Sequence, residues 1–72
     1  MKNIVKASSI VYDEDLDILE AYTDKTTEYS TNINDFVIVH FSKNNELTGL
    51  EFLDIAKNSN IPKKVLNNLK IF

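Results

Sequence analysis

The stretch from Phe36 to Asp54 constrains the fold of this chain more than any other. It reads Phe36-Val37-Ile38-Val39-His40-Phe41, then Ser42-Lys43-Asn44-Asn45-Glu46, then Leu47-Thr48-Gly49-Leu50-Glu51-Phe52-Leu53-Asp54. Two apolar runs rich in β-branched and aromatic residues flank a short polar connection, which is the pattern of a β-hairpin. With a period of two, Val37, Val39 and Phe41 point one way and Phe36, Ile38 and His40 the other. Both sets are largely apolar, so this strand is expected to be covered on both faces. On the return strand Leu50 and Phe52 share one face, and Glu51 and Leu53 the other. A glycine inside an apolar strand marks a bulge or a close backbone approach, and Gly49 is placed for either.

The same residues admit a second pattern. Thr48-Gly49-Leu50-Glu51 matches a capping box, which would start a helix running to Lys57. On local pattern alone strand and helix are nearly balanced. The strand is favoured because the edge of Phe36–Phe41 needs a partner, and because glycine weakens a first helical turn.

The rest of the chain is arranged around this hairpin. Ser8 to Tyr12 is short, β-branched and aromatic, and reads as a strand. Asp13-Glu14-Asp15 interrupts it as a turn, since carboxylates accept local backbone N–H bonds. Leu16 to Thr23 has mixed periodicity and is read as a strand, with a short helix as the alternative. Asp24-Lys25 makes another turn. Thr26 to Thr31 is rich in threonine and poor in apolar bulk, as an exposed edge strand should be. Asn32 to Asp35 makes a third turn. After Asn58-Ser59-Asn60, Pro62 favours a helix start, with Asn60 as its N-cap. Val65, Leu66, Leu69 and Phe72 then recur at helical spacing as one apolar stripe. A helix this short is marginal alone and must dock. The expectation is one α+β domain over residues 1–72: a small antiparallel β-meander of four to five strands, with one C-terminal α-helix packed on the sheet.

Composition narrows the function. At 72 residues the chain holds one small core, with a net stability of roughly 3–5 kcal/mol. It contains no cysteine, which removes disulfides and thiolate zinc sites and suits a reducing compartment. No apolar run approaches the roughly 20 residues a membrane helix needs, and Met1 to Lys6 lacks the apolar core of a signal peptide. A cytoplasmic protein that does not enter membranes is expected. The formal net charge is −3 and all eight basic residues are lysine. Without a basic face or any arginine, direct nucleic-acid binding is not expected.

Three groups of residues could carry chemistry. Asp13, Asp15 and Asp17 alternate like the opening of a calcium loop, whose oxygen ligands converge on a hard cation. The sixth position of such a loop is Ile18 rather than glycine, and the twelfth is Asp24 rather than glutamate. A solvated turn is the ordinary reading, and weak divalent-cation binding, calcium-like, is the alternative. His40 is the one histidine. It has no nucleophile or substrate pocket near it in sequence and reads as a structural or interface residue. One glycine permits no phosphate-cradling loop, and no serine sits in a nucleophile elbow. A non-enzymatic protein without a cofactor is therefore expected. The stripe Val65, Leu66, Leu69 and Phe72 either docks internally or contacts a protein partner, of which a second copy in a homodimer is the simplest.

Tyr12-Asp13-x-x-x-Asp17-x-Leu19, an apolar strand, a short polar loop and Gly49-Leu50-Glu51-Phe52-Leu53-Asp54 together resemble a family of short prokaryotic proteins of unknown function, DUF2283. The resemblance covers Ser9 to Asp54. It implies that Gly49 to Asp54 is strand rather than capped helix, and that a small curled antiparallel sheet carries a C-terminal helix. Some members look like partners of a ribonuclease-type toxin in two-gene operons, which implies an antitoxin-like binding role. The chain departs from the family's pattern at His40, where an acidic residue is usual, at Ser42–Asn45, and at Glu20, where an aromatic is usual.

Overall fold

The computed structural model describes residues 6–69. Strands β1 (Ser9–Asp13), β2 (Ile18–Tyr22), β3 (Tyr29–Asn34), β4 (Val37–Phe41) and β5 (Leu47–Leu53) are followed by helices α1 (Ile55–Ser59) and α2 (Lys63–Leu66). The strands form one antiparallel sheet in the order β1-β2-β5-β4-β3. The expected hairpin is therefore β4–β5, and Gly49 to Leu53 is strand with no helix started at Thr48.

The expected meander holds within β1–β2 and within β3–β4–β5 but fails between them. A meander would place β3 in the middle of the sheet, and all six residues of β3 are exposed. So polar a strand can only be an edge. The centre is taken by β5, the longest strand, which pairs with β2 on one side and β4 on the other. The β2–β3 connection then crosses the start of β5 and is held there. Thr23 donates its backbone N–H to the Thr48 carbonyl at 2.9 Å, and the Thr27 and Thr48 hydroxyls meet at 2.7 Å. Thr48 is fully buried. It is also the extra residue of a β-bulge, since His40 pairs with Gly49 but Phe41 with Leu47.

Residues opposite one another in paired strands share a face. One face carries the rows Tyr12–Leu19–Phe52–Val37 and Ile10–Ala21–Leu50–Val39. The other carries Val11–Glu20–Glu51–Ile38 and Ser9–Tyr22–Gly49–His40–Ser30. Tyr12 and Val39 on the first face, with Leu66 from α2, are the buried apolar side chains among the described residues. The core thus lies on the first face.

The helix expected after Asn60 is present as α2, shorter than expected, and a second short helix, α1, precedes Asn60. Asp54 adopts a left-handed conformation (φ 52°) that ends β5 and turns the chain into α1. Asn60 is not an N-cap: at φ 61° it closes α1, and its N–H bonds to the Ala56 carbonyl. Asparagine tolerates this conformation because its short polar side chain adds little strain. Pro62 precedes α2 in an extended conformation, and its carbonyl accepts the Val65 N–H. The polar ties of α2 run to the β1–β2 connection: Lys63 Nζ to the Glu14 carbonyl at 3.0 Å and Asn67 Nδ2 to Glu14 Oε2 at 2.7 Å. No helix among the described residues is long and apolar enough to cross a membrane.

Candidate functional site

The three aspartates singled out, at the end of β1 and in the β1–β2 connection, do separate jobs. Asp13 Oδ1 accepts the Leu16 N–H at 3.1 Å and shapes the turn. Asp15 is exposed. Asp17 stands at φ 55° and is buried. Its carboxylate accepts the Tyr12 hydroxyl at 2.5 Å and the N–H groups of Ala56 and Lys57 at 3.0 and 3.3 Å. Those are donors that the first turn of α1 leaves without partners. Asp17 thus caps a helix from 39 residues away in sequence. The Tyr12 hydroxyl bond, with help from the two backbone donors, holds the Asp17 carboxyl below its ordinary value against the opposing effect of burial. Burial and then the bond to Asp17 push the Tyr12 phenol up to about 12. With Asp17 turned inward, the three carboxylates do not converge. Among the described residues no group of three or more His, Cys, Asp or Glu side chains is placed to hold a metal ion.

A second polar assembly crosses the sheet on its other face. The Tyr22 ring lies over Gly49, where an added Cβ would stand 2.5 Å from Cδ1. From there it stacks on His40 with centroids 5.5 Å apart. Gly49 thus fulfils both roles expected of a strand glycine, beside a bulge and beneath a ring. The Tyr22 hydroxyl donates to Glu51 Oε1 at 3.1 Å, and His40 Nε2 lies 2.9 Å from the same oxygen. The other imidazole nitrogen, Nδ1, meets the Ser30 hydroxyl at 2.5 Å. His40 is buried. The strand register builds this row, since Tyr22, Gly49, His40 and Ser30 are successive partners across β2, β5, β4 and β3. Burial, followed by the bond to Glu51, pushes the Tyr22 phenol up to about 12. Glu20, directly opposite Glu51, has its carboxyl pushed up first by burial and then by the Glu51 charge.

Serine, imidazole and carboxylate in a row have the order of a nucleophilic relay. A relay also needs a place for substrate beside the hydroxyl, and donors for the charge that develops. The cleft of about 520 Å³ between the β2–β3 connection and the β4–β5 turn is lined by Asp24, Lys25, Glu28, Lys43 and Glu46, and not by Ser30 or His40. The row orients His40 from both nitrogens and cross-links four strands.

The stripe expected on the C-terminal helix is divided. Leu66 is 2% exposed and belongs to the core, whereas Val65 and Leu69 are 48% and 44% exposed. Phe72 lies outside the described residues. Leu16, in the connection to which α2 is tied, is 64% exposed. Leu16, Val65 and Leu69 are thus exposed apolar residues of the β1–β2 connection and of the α2 segment tied to it through Glu14. Sequence reasoning named His40 and Asp17, but not Tyr22, Glu51 and Ser30 as the partners of His40. The signal available was the register: Glu51 and His40 sit on one face once β4 and β5 are paired.

No curated protein and no solved structure matches the chain. The family of proteins of unknown function DUF2283 matches residues 9–55. That span runs from the start of β1 to the first residue of α1, so Asp17 and the row from Tyr22 to Ser30 lie inside it and α2 lies outside. On this match, which covers the whole sheet, the chain belongs to the DUF2283 family.

Proposed function

We propose that the protein is a non-catalytic contact module that associates with a second copy of itself through the apolar surface at the α2 end. The observation that supports this is the division of the stripe: Leu66 anchors α2 while Val65 and Leu69 face outward. Exposed apolar residues scattered singly are ordinary, but several on one short segment of a small domain mark a contact surface. The surroundings favour a second copy over an unrelated partner. Asp13 ends β1, Glu14 and Asp15 follow it in the connection, and Lys57, Lys63 and Lys64 lie on the helices. A patch that carries both signs around an apolar centre is self-complementary across a two-fold axis. The small number of buried apolar side chains points the same way, because small domains gain stability by association.

The test is light scattering coupled to size-exclusion chromatography over a tenfold concentration range. A concentration-dependent dimer is expected. Leu69→Asp and Val65→Asp should each weaken it roughly tenfold or more, while the circular dichroism spectrum stays that of the parent. A monomer at every concentration overturns the proposal, and so does a dimer indifferent to both substitutions.

A further inference from the structure

We infer that Ile55 to Leu69 forms a strap that docks on the β1–β2 connection and releases from it as one unit, bringing Leu66 out beside Val65 and Leu69. This regulates the contact surface proposed above and rests on that proposal for its use, though not for its test.

The observations are the placement and the number of the strap's ties. α1 is held through Asp17: its carboxylate accepts the N–H groups of Ala56 and Lys57, and its carbonyl accepts that of Ile55 at 3.3 Å. α2 is held through Glu14, by Lys63 and Asn67, and through burial of Leu66. Both helices are thus fastened to one short connection, although Asn60 and Pro62 separate them. Neither helix is long enough to persist in water once unfastened. The backbone ladders of the sheet include none of these polar ties. Losing the Asp17 anchor removes the scaffold of α1, and α1 leads into α2, so the two should open together. In the docked state Leu66 is hidden while Val65 and Leu69 face outward. In the released state all three are available to a partner.

Hydrogen exchange resolved at single amides tests this on the monomer, at a concentration below any association. After correction for intrinsic rates, Ala56 and Lys57 should exchange within a factor of about three of Leu66 and Asn67. All four should exchange roughly a hundredfold faster than amides of β4 and β5. Exchange of the strap at the rate of β4 and β5 overturns the inference, as does separate exchange of α1 and α2. Asn67→Ala removes an exposed tie to α2 without touching the sheet. It should accelerate Ala56 and Lys57 as well, by about threefold; acceleration confined to α2 shows independent fraying and overturns the unit. Leu69→Asp should leave all these rates unchanged, so loss of the dimer and loss of the strap are read separately.

Discussion

Asp17 and Glu51 are both carboxylates that gather several donors, and they sit in opposite settings. Glu51 lies in the central strand and accepts from Tyr22 and His40, whose strands the backbone ladders already hold beside it. Asp17 lies in a connection and accepts from Tyr12, Ala56 and Lys57. The β2–β5 ladder ends at Ile18 and Leu53, just before α1, and beyond it the Asp17 carboxylate holds the first turn of α1 to the connection. The worth of a polar contact thus depends less on its geometry than on what would hold the same groups together in its absence. The row at the sheet centre should tolerate loss of a hydrogen bond. Its sensitive point should be steric, at Gly49. The turn should respond to the charge of one aspartate.

The largest expected effect is that of Gly49→Ala. An added Cβ would stand 2.5 and 2.8 Å from two Tyr22 ring carbons and 3.1 Å from the Ala21 carbonyl oxygen. The ring can yield only by leaving its stack on His40, and the carbonyl belongs to the β2–β5 ladder. Overpacking of this kind costs about 2–3 kcal/mol, or roughly 10–20 °C in a domain of this size. Thermal denaturation followed by circular dichroism measures it. A change under about 3 °C would show that Tyr22 moves freely and that the row is not rigid.

Next comes Asp17→Asn. Asparagine keeps the left-handed conformation and one acceptor oxygen, so the substitution isolates the charge. Above the ordinary aspartate value the variant should melt about 5–10 °C lower than the parent. The sign of the pH dependence follows from the direction of the shift. The Tyr12 bond lowers the folded-state value of Asp17 below the unfolded 3.8, so its contribution is present above 3.8 and is lost as pH falls through the folded value. The two melting temperatures should converge in acid. A constant gap from neutral pH to acid would mean that shape rather than charge matters at this position.

How much of this was visible beforehand follows from what a linear pattern encodes. Alternation of apolar residues located β4 and β5, and the aromatic and β-branched run located β1. The exposed character of Thr26 to Thr31 also carried topological information: a strand that must lie at an edge cannot be third of five in a meander. The partner of β2 was not encoded locally. It depends on the bulge at Thr48 and on the two threonines that fasten the crossing connection there. Asp17 was seen as a carboxylate among carboxylates, because the donors that claim it arrive 39 and 40 residues later. The helical spacing of Val65, Leu66 and Leu69 did not carry the helix's length: α2 ends at Leu66, so Leu69 lies beyond its one short turn.

Smaller effects sharpen the sheet side of the comparison. Tyr22→Phe keeps the ring over Gly49 and removes only the bond to Glu51, so it should cost about 1 kcal/mol. Urea denaturation at neutral pH checks it. Since His40 still reaches Glu51 Oε1, a loss above about 2 kcal/mol would show that the row acts as a coupled network rather than as separate bonds.

The smallest effect has the opposite sign. Glu20 and Glu51 face each other on adjacent strands, and like charges so placed are mutually destabilising. Burial first, and then the Glu51 charge, raise the folded-state value of Glu20 above its ordinary 4.5. The native state therefore holds this proton more tightly than the unfolded chain does. The resulting stability is fully present below 4.5 and is lost as pH rises through the folded value. At neutral pH Glu20 is charged and opposes folding, which Glu20→Gln should relieve by a few tenths of a kcal/mol, after allowance for its partial exposure. In acid the gain should vanish, because the parent side chain is then neutral as well. A gain that persists unchanged below pH 4.5 would remove repulsion as its cause and assign it to the packing of the amide against the row.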